Sequence, residues 1–185
     1  MPIHEFKGKI PEIDSTVFVD DSATVVGDVV LGTGSSVWPN AVLRGDSGAI
    51  KIGKNVSLQD NVVVHSETHG QVVIGDNVSV GHGAILHGCE IGSNVVVGMG
   101  AIVMDDAKIE DWVIIGAGAV VTEDTLVSSK SLVLGIPGRV VDQLDEAKLR
   151  YIREHTEEYV ELAKQYLKPS ARRHVLSSKK WEDIE

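Results

Sequence analysis

The fold is decided by residues 91–127, which read "IGSNVVVGMGAIVMDDAKIEDWVIIGAGAVVTEDTLV". An aliphatic residue recurs at every sixth position of this stretch: Ile91, Val97, Val103, Ile109, Ile115, Val121 and Val127. A short strand-and-turn unit that repeats with a fixed period is typical of a solenoid, in which each unit stacks on its neighbours. Three such units close one triangular coil, and the aliphatic residues point inward. The stretch therefore predicts a β-solenoid.

The same period extends toward the N-terminus with two interruptions. Upstream aliphatic residues in phase with the repeat are Val19, Val25, Leu31, Val37, Leu43, Ile52, Leu58, Val64, Ile74, Val80 and Leu86. The step from Leu43 to Ile52 holds three extra residues around Gly45–Gly48. The step that follows Val64 holds four extra residues around Ser66–Gln71. Insertions at one corner of a solenoid often mark its binding edge.

Composition and charge exclude several classes of partner. The net charge is −10 and there is no basic stripe, so neither nucleic acid nor an anionic membrane surface is an expected partner. No apolar run approaches the roughly 20 residues that a membrane-spanning helix needs, and no apolar signal segment follows Met1. Cys89 is the only cysteine, so an internal disulfide is impossible. We expect a cytoplasmic protein.

The repeat places two histidines in one column. Three aliphatic residues lie three repeat units apart once the insertions are removed, and therefore stack on one face: Leu43, Val64 and Leu86. The residues that follow them, Arg44, His65 and His87, share one position of the repeat and form a column on that face. Neighbours in such a column are about 4.8 Å apart, the spacing of adjacent strands. His65 and His87 can therefore bind one metal ion together.

A third histidine, His82, falls on the preceding face of the prism. The same count places Asp60 directly beneath His82, with Gln59 beside Asp60. Because His82 cannot easily join the column within one chain, a rotationally symmetric oligomer is needed to unite the three histidines. Three faces per coil make a homotrimer natural, with one site at each interface.

A metal site is one of two interpretations of these histidines. A lone histidine in a β-solenoid is more often a core or turn residue than a ligand. Three histidines, two of them aligned beside the longest insertion, favour a metal. Histidine is the usual protein ligand for zinc and similar metals, and three histidines leave one coordination position open for water.

Three motifs resemble the γ-class carbonic anhydrases: "LRGD" (43–46), "QDNVVVH" (59–65) and "VGHGAILHGC" (80–89). The resemblance covers residues 1 to about 167. It implies a mainly β fold, a left-handed parallel β-helix of hexapeptide repeats followed by a C-terminal α-helix. It also implies a homotrimer with a metal at each interface, bound by His65 and His87 of one chain and His82 of its neighbour. The metal implied is Zn²⁺, with Fe²⁺ or Co²⁺ in some members.

The resemblance also implies an activity and roles for four further residues. A zinc hydroxide would hydrate carbon dioxide reversibly to bicarbonate. Gln59 would hydrogen-bond the metal-bound water or bicarbonate, and Asp60 would orient a ligand or the interface. Arg44 and Asp46 are candidates for an interface ion pair.

The chain departs from the family pattern in its two insertions. Active members carry glutamates there, one of which carries the proton to buffer, whereas this chain has Ser47 after Asp46 and "SETHG" in the second insertion. Glu67 and His69 are the titratable residues of that second insertion, and His69 has the more suitable intrinsic pKa for carrying protons. We expect an intact metal site and slow turnover.

Three other functions stay open. The hexapeptide solenoid also hosts acyltransferases, which use one histidine as a general base without a metal. A metal-dependent thioesterase would use the same zinc hydroxide, and a non-catalytic metal-binding trimer would use only the site.

The chain divides into three expected segments. Residues 1–141 form the β-helix domain, with an N-terminal lead-in and "SLVLGIPGRVV" (131–141) as a returning strand. Residues 142–168 form a C-terminal helix that packs along the β-helix, and residues 169–185 form a polar tail. Asp145 is the predicted N-cap of this helix. Its apolar stripe is Leu149, Ile152, Thr156, Tyr159, Ala163 and Tyr166. The pattern does not say which subunit this helix packs against.

Overall fold

The computed structural model describes residues 3–168 of the 185-residue chain. The predicted polar tail from residue 169 onward lies outside the described residues. The strands are β1 (Ile3–His4), β2 (Glu12–Ile13), β3 (Phe18–Val19), β4 (Thr24–Leu31), β5 (Ser36–Val37), β6 (Val42–Ile52), β7 (Ser57–Leu58), β8 (Val63–His65), β9 (Gln71–Ile74), β10 (Ser79–Val80), β11 (Ile85–His87), β12 (Glu90–Ile91), β13 (Val96–Val97), β14 (Ile102–Val103), β15 (Lys108–Ile109), β16 (Ile114–Ile115), β17 (Val120–Val121), β18 (Leu126–Val127), β19 (Ser131–Leu134) and β20 (Arg139–Gln143). One helix follows them, α1 (Glu146–Tyr166).

The strands stack in parallel on three faces. We name the faces A, B and C, because the chain passes through them in this order within each coil. Face A holds β1, the first halves of β4 and β6, and then β8, β11, β14 and β17. Face B holds β2, the second halves of β4 and β6, and then β9, β12, β15 and β18. Face C holds β3, β5, β7, β10, β13, β16 and β19. The predicted fold class, a mainly β hexapeptide solenoid followed by a C-terminal helix, is confirmed.

The aliphatic residues of the six-residue repeat fill the interior of the prism. On face A they form one column in register, and each is fully buried: Val25, Leu43, Val64, Leu86, Val103 and Val121. Burying one such side chain stabilises a fold by about 1.5–3 kcal/mol. Stacked side chains of similar size therefore hold the coils together along their whole length.

The outward side chains differ sharply between the three faces. On face B they include charged residues, and Lys108 forms an ion pair with Glu90 at 3.7 Å. On face C they are Phe18 in the first coil, serines in the next three coils and apolar residues in the later ones, and α1 packs against this face. On face A they form an apolar column whose members are half-buried or exposed: Val42, Val63, Ile85, Ile102 and Val120. Val63 and Ile85 are 37% and 38% exposed.

Helix α1 packs on face C of its own chain. Asp145 caps the helix, as predicted, and accepts a hydrogen bond from the backbone N–H of Lys148 at 2.8 Å. Leu149 and Ile152 are buried against the later coils, beside Val96. At the other end, a second apolar cluster forms around Phe18, Trp38 and Ala163, with Tyr159 packed against it. The helix therefore packs on its own chain, a point that the sequence left open.

The two insertions differ in shape. The first does not leave the sheet, because β6 continues through it. Its pairing with β4 shifts from Gly27–Gly45 to Val29–Ile50, which accommodates the three extra residues. The second leaves the sheet as a turn, in which the N–H of Gly70 donates to the carbonyl of Glu67 at 3.0 Å.

The segment after β18 is a hairpin and not the single returning strand that we expected. β19 and β20 pair antiparallel, and the peptide bond between Ile136 and Pro137 in their turn is cis. The turn residues Gly135, Pro137 and Gly138 reverse the chain between the two strands, so residues 131–141 do not form one continuous strand.

No helix within residues 3–168 combines the length and the apolar character needed to cross a bilayer. The cytoplasmic location stays a prediction.

Candidate metal centre

His65 and His87 face each other across adjacent coils. β6, β8 and β11 pair in the register Arg44–His65–His87, so the predicted column is formed. Nδ1 of His65 lies 3.2 Å from Nε2 of His87. Two nitrogen ligands of a tetrahedral zinc, each about 2.0–2.1 Å from the metal, lie about 3.3–3.4 Å apart. The pair already has nearly the separation that such a metal requires.

A carboxylate lies behind each of these two rings. Oδ1 of Asp46 is 3.1 Å from Nε2 of His65. Both oxygens of Asp105 are 2.8 Å from Nδ1 of His87. An ionised carboxylate only accepts hydrogen bonds, so the ring nitrogen that faces it carries the hydrogen. When both histidines are neutral, each of the two facing nitrogens therefore carries a lone pair. The two lone pairs repel each other, and a cation bound between them relieves this repulsion.

Asp46 is held ionised by its neighbours. Nη1 of Arg44 donates to both of its oxygens, at 2.8 and 2.7 Å. This guanidinium is the main cause that lowers the pKa of Asp46, and the contact with His65 lowers it further. The predicted ion pair of Arg44 and Asp46 is thus present within one chain. Its place at a subunit interface stays a prediction.

Asp105 is a site residue that the sequence reasoning missed. It lies 18 residues after His87, which is one uninterrupted coil. A Cβ atom on Gly88 would lie only 2.2 Å from Oδ1 of Asp105, and Gly88 also has φ of +56°. The glycine therefore leaves the space through which Asp105 reaches the ring of His87. Counting one coil onward from the ligand would have found this carboxylate.

His82 lies at the corner between face C and face A, whereas His65 and His87 lie at the opposite edge of face A. Nδ1 of His82 is 2.8 Å from Oδ2 of Asp60, which confirms that Asp60 lies beneath it. This contact leaves Nε2 of His82 available to a ligand. Within the described part of a single chain, no three histidine, cysteine or acidic side chains are grouped so that they could hold a metal ion.

Gln59, which precedes Asp60 in the sequence, is buried. Its side chain is 2% exposed, and its Nε2 atom has no hydrogen-bond partner within the described chain. A buried amide N–H without a partner is costly. An oxygen atom supplied from outside the chain would satisfy it.

The chain has relatives among known proteins. Residues 88–123 match the family model described as bacterial transferase hexapeptide (six repeats). Carbonic anhydrase of Geobacillus kaustophilus (strain HTA426) is 41% identical over 178 residues, which cover 96% of this chain and 98% of that protein. The mitochondrial gamma carbonic anhydrase 2 of Arabidopsis thaliana is 37% identical over 161 residues, 84% of this chain and 58% of that protein. The chain belongs to the γ-class carbonic anhydrase family.

Other members of the same fold carry different names. Carnitine operon protein CaiE of Escherichia coli (strain K12) is 36% identical over 162 residues, 88% of this chain and 83% of that protein. The crystal structure of a hexapeptide transferase family protein from Anaplasma phagocytophilum superimposes with a TM-score of 0.86 at 39% identity. That match covers 89% of this chain and 98% of the other.

The insertion in which this γ-class chain departs from the pattern lies beside His87. Glu67 and His69 are exposed, and both line a cavity of about 540 Å³ that is also lined by Asp105 and Lys108. The structure thus brings both candidate proton carriers to the outer side of the His87–Asp105 pair. Ser66 differs from them, because it is fully buried and its hydroxyl has no partner within the described chain.

Cys89 takes no part in the centre despite its position two residues after His87. Burial is the main cause that raises the pKa of its thiol to about 12. A thiolate is therefore not available near neutral pH, so Cys89 is not a candidate ligand.

Proposed function

We propose that the protein is a γ-type carbonic anhydrase that hydrates carbon dioxide reversibly to bicarbonate at a zinc centre shared between chains. The observation that carries this proposal is the facing pair of ring nitrogens, 3.2 Å apart, each with a carboxylate behind its ring. Family membership supports the same activity. Zn²⁺ is the proposed metal, and Fe²⁺ or Co²⁺ suits the same three imidazole ligands.

A homotrimer is proposed because the two halves of the site lie at opposite edges of one apolar face. The outward column of face A is apolar and half-buried or exposed, while face C is covered by α1. In a closed threefold ring, one edge of a subunit meets the opposite edge of the next. His82 of one chain then approaches His65 and His87 of its neighbour.

The residues of the chain hold the ligands and the substrate. When bound, zinc lowers the pKa of a coordinated water so that hydroxide is available at neutral pH. Asp46, Asp60 and Asp105 each accept a hydrogen bond from one histidine and fix the ring nitrogen that is presented to the metal. Gln59 donates its unpaired N–H to an oxygen of water or bicarbonate. Arg44 keeps Asp46 ionised and in place.

Proton transfer to buffer is the expected weak step. His69 and Glu67 are exposed on the second insertion and share a cavity with Asp105. His69 is the preferred proton carrier because its intrinsic pKa lies nearest to neutral. General acid–base assistance is typically worth about 10²–10⁴-fold, so its partial loss limits kcat.

The test of the shared site is complementation between two inactive variants. His82→Ala and His87→Ala chains should each lose tight zinc binding and carbon dioxide hydration. After subunit exchange, mixed trimers should regain some complete sites and therefore some zinc and some stopped-flow activity. If exchange is confirmed by mass spectrometry and no mixture regains zinc, the shared site is wrong.

Metal dependence and substrate preference distinguish the other candidate functions from carbonic anhydrase activity. Likeness to CaiE and to a hexapeptide transferase keeps an acyltransferase reaction in view. Such an enzyme would keep its activity after chelation, because a single histidine base needs no metal. Zinc-loaded protein that hydrolyses thioesters but leaves carbon dioxide unchanged would favour a thioesterase, and inactivity toward both would favour a metal-binding scaffold.

A further inference from the structure

A cavity of about 290 Å³ lies between α1 and the corner of face C that carries His82. We propose that this cavity is a binding pocket for an uncharged carbonyl compound larger than carbon dioxide, and that it opens beside the metal centre. The second half of the statement rests on the proposed function, because His82 is a ligand only there. The first half does not, since the cavity is lined by residues of one chain.

Two walls bound the pocket. Helix α1 supplies a row of rings, in which His155 stacks on Tyr151 with centroids 5.4 Å apart and an interplanar angle of 15°. Tyr159 meets His155 edge-on at 5.3 Å. The opposite wall is formed by stacked corners of the solenoid. They include Gly81 and Gly98, at each of which a Cβ atom would collide with the backbone of the next coil. Most of the other lining side chains on this wall are aliphatic, so an organic molecule in the pocket buries apolar surface against both walls.

The pocket carries no fixed charge. None of the described residues that line it is lysine, arginine, aspartate or glutamate. Burial is the main cause that lowers the pKa of His155, the nearby His82 lowers it further, and Glu158 opposes the shift. Burial and the nearby Asp60 raise the pKa of Tyr159. Both shifts favour neutral side chains, so an anionic ligand would lose its hydration without gaining a positively charged partner.

One buried hydrogen-bond donor indicates that the ligand carries an acceptor. Gln59 lines this pocket, is 2% exposed and has an unpartnered Nε2 atom. A carbonyl oxygen is an acceptor that satisfies this donor without bringing a charge. The volume indicates the size of the ligand. A water molecule needs about 10–15 Å³ of such space, so 290 Å³ exceeds what a triatomic molecule requires. It lies close to the roughly 300 Å³ at which small-molecule sites begin.

Methionine supplies a reporter inside the pocket and one outside it. The chain has three methionines, Met1, Met99 and Met104. Met99 lines the pocket and Met104 does not. With ¹³C-methyl methionine, benzamide should shift the Met99 methyl resonance saturably in both the metal-free and the zinc-loaded protein. The Met104 resonance should stay in place. In the metal-free protein, benzoate, which has the same shape and a negative charge, should shift neither.

Matched variants test the shape and the donor. Ala117 lines the pocket, so Ala117→Leu should weaken benzamide binding. Ala147→Leu, at an exposed position in the first turn of α1, should leave it unchanged. Gln59→Leu should weaken it about 2- to 10-fold, the usual worth of one hydrogen bond. Benzamide should also inhibit carbon dioxide hydration by the zinc-loaded protein.

Each outcome separates the pocket from the proposed function. An unshifted Met99 resonance up to the solubility limit of benzamide overturns the pocket, and normal zinc content and hydration would leave the proposed function standing. A saturable shift in protein that binds no zinc supports the pocket and refutes the metal centre. Equal binding of benzoate overturns the argument from charge. Binding without inhibition overturns the opening onto the metal.

Discussion

Asp105 is the residue whose removal tests the metal centre most directly. The change Asp105→Asn keeps the size of the side chain and removes its negative charge. In the parent, both carboxylate oxygens lie 2.8 Å from Nδ1 of His87, which fixes the hydrogen on that nitrogen and leaves Nε2 free. An amide can instead turn its NH₂ toward the ring. His87 would then accept through Nδ1 and carry its hydrogen on Nε2, where the metal has to bind.

The expected loss of zinc affinity is about 10–100-fold, the usual cost of removing a carboxylate that orients a histidine ligand. This corresponds to about 1.4–2.8 kcal/mol of binding free energy. The upper part of the range is expected, because Asp105 contacts the ring with both oxygens and the space over Gly88 leaves this side chain little freedom to reorganise. The fold should be preserved, since Asp105 is partly exposed and Gly88 is unchanged.

The assay is competition for zinc against a chromophoric chelator, measured on the assembled protein at fixed pH. Asp106→Asn is the matched control. It makes the same charge change one residue away, and Asp106 is exposed with φ of +58°, a conformation that asparagine adopts readily. Equal zinc affinity in Asp105→Asn, Asp106→Asn and the parent would refute the role assigned to Asp105.

Three further predictions concern the scaffold around the centre. Ile152→Ala removes a fully buried side chain beneath α1 and should lower the free energy of unfolding by about 2–5 kcal/mol in denaturant titrations. Ile136→Ala, at a 76% exposed position, should change it little, and equal effects would contradict the packing of α1. Cys89, with its pKa raised to about 12, should react with a thiol reagent only after unfolding; rapid reaction of the native protein would contradict its burial. The pKa of Asp145 is lowered, chiefly by the N–H of Lys148. Its stabilisation of α1 should therefore be complete above the ordinary aspartate pKa and be lost as the pH falls through the lowered pKa. Circular dichroism should show this acid step in the parent and not in Asp145→Asn, and an unchanged step would refute the cap.

The sequence predicted those parts of the site that lie on strands. In a solenoid, a fixed number of residues separates positions that stack, so spacing along the chain becomes contact in space. Arg44, His65 and His87 were placed in one column by counting, and Asp60 was placed beneath His82 in the same way. Counting one further coil from His87 leads to Asp105 in the same way, but the prediction considered only the coils that carry histidines.

The parts that escaped prediction depend on corners and on the helix. Glycine and proline at 135–138 were consistent with an irregular strand or with a tight hairpin, because both use the same turn residues. The first insertion was consistent with a loop or with a strand that runs on through a corner. Neither alternative changes the six-residue period, so the period could not choose between them.

Helix α1 shows most clearly why spacing alone is insufficient. The stripe of the helix indicated which side is apolar, but not which coil each residue would meet. Tyr159 appeared in that stripe as a core residue, yet it lines the same cavity as Gln59 and His82. His155 lies outside the stripe altogether. Its ring contacts Tyr151 and Tyr159, each four residues away on the same helix, and it is half-buried because this turn of α1 lies against the corner that carries His82. A wall made by a helix against a solenoid depends on the axial position and rotation of that helix. The six-residue repeat contains no information on either. Only the structure therefore shows which residues of α1 line the cavity beside His82.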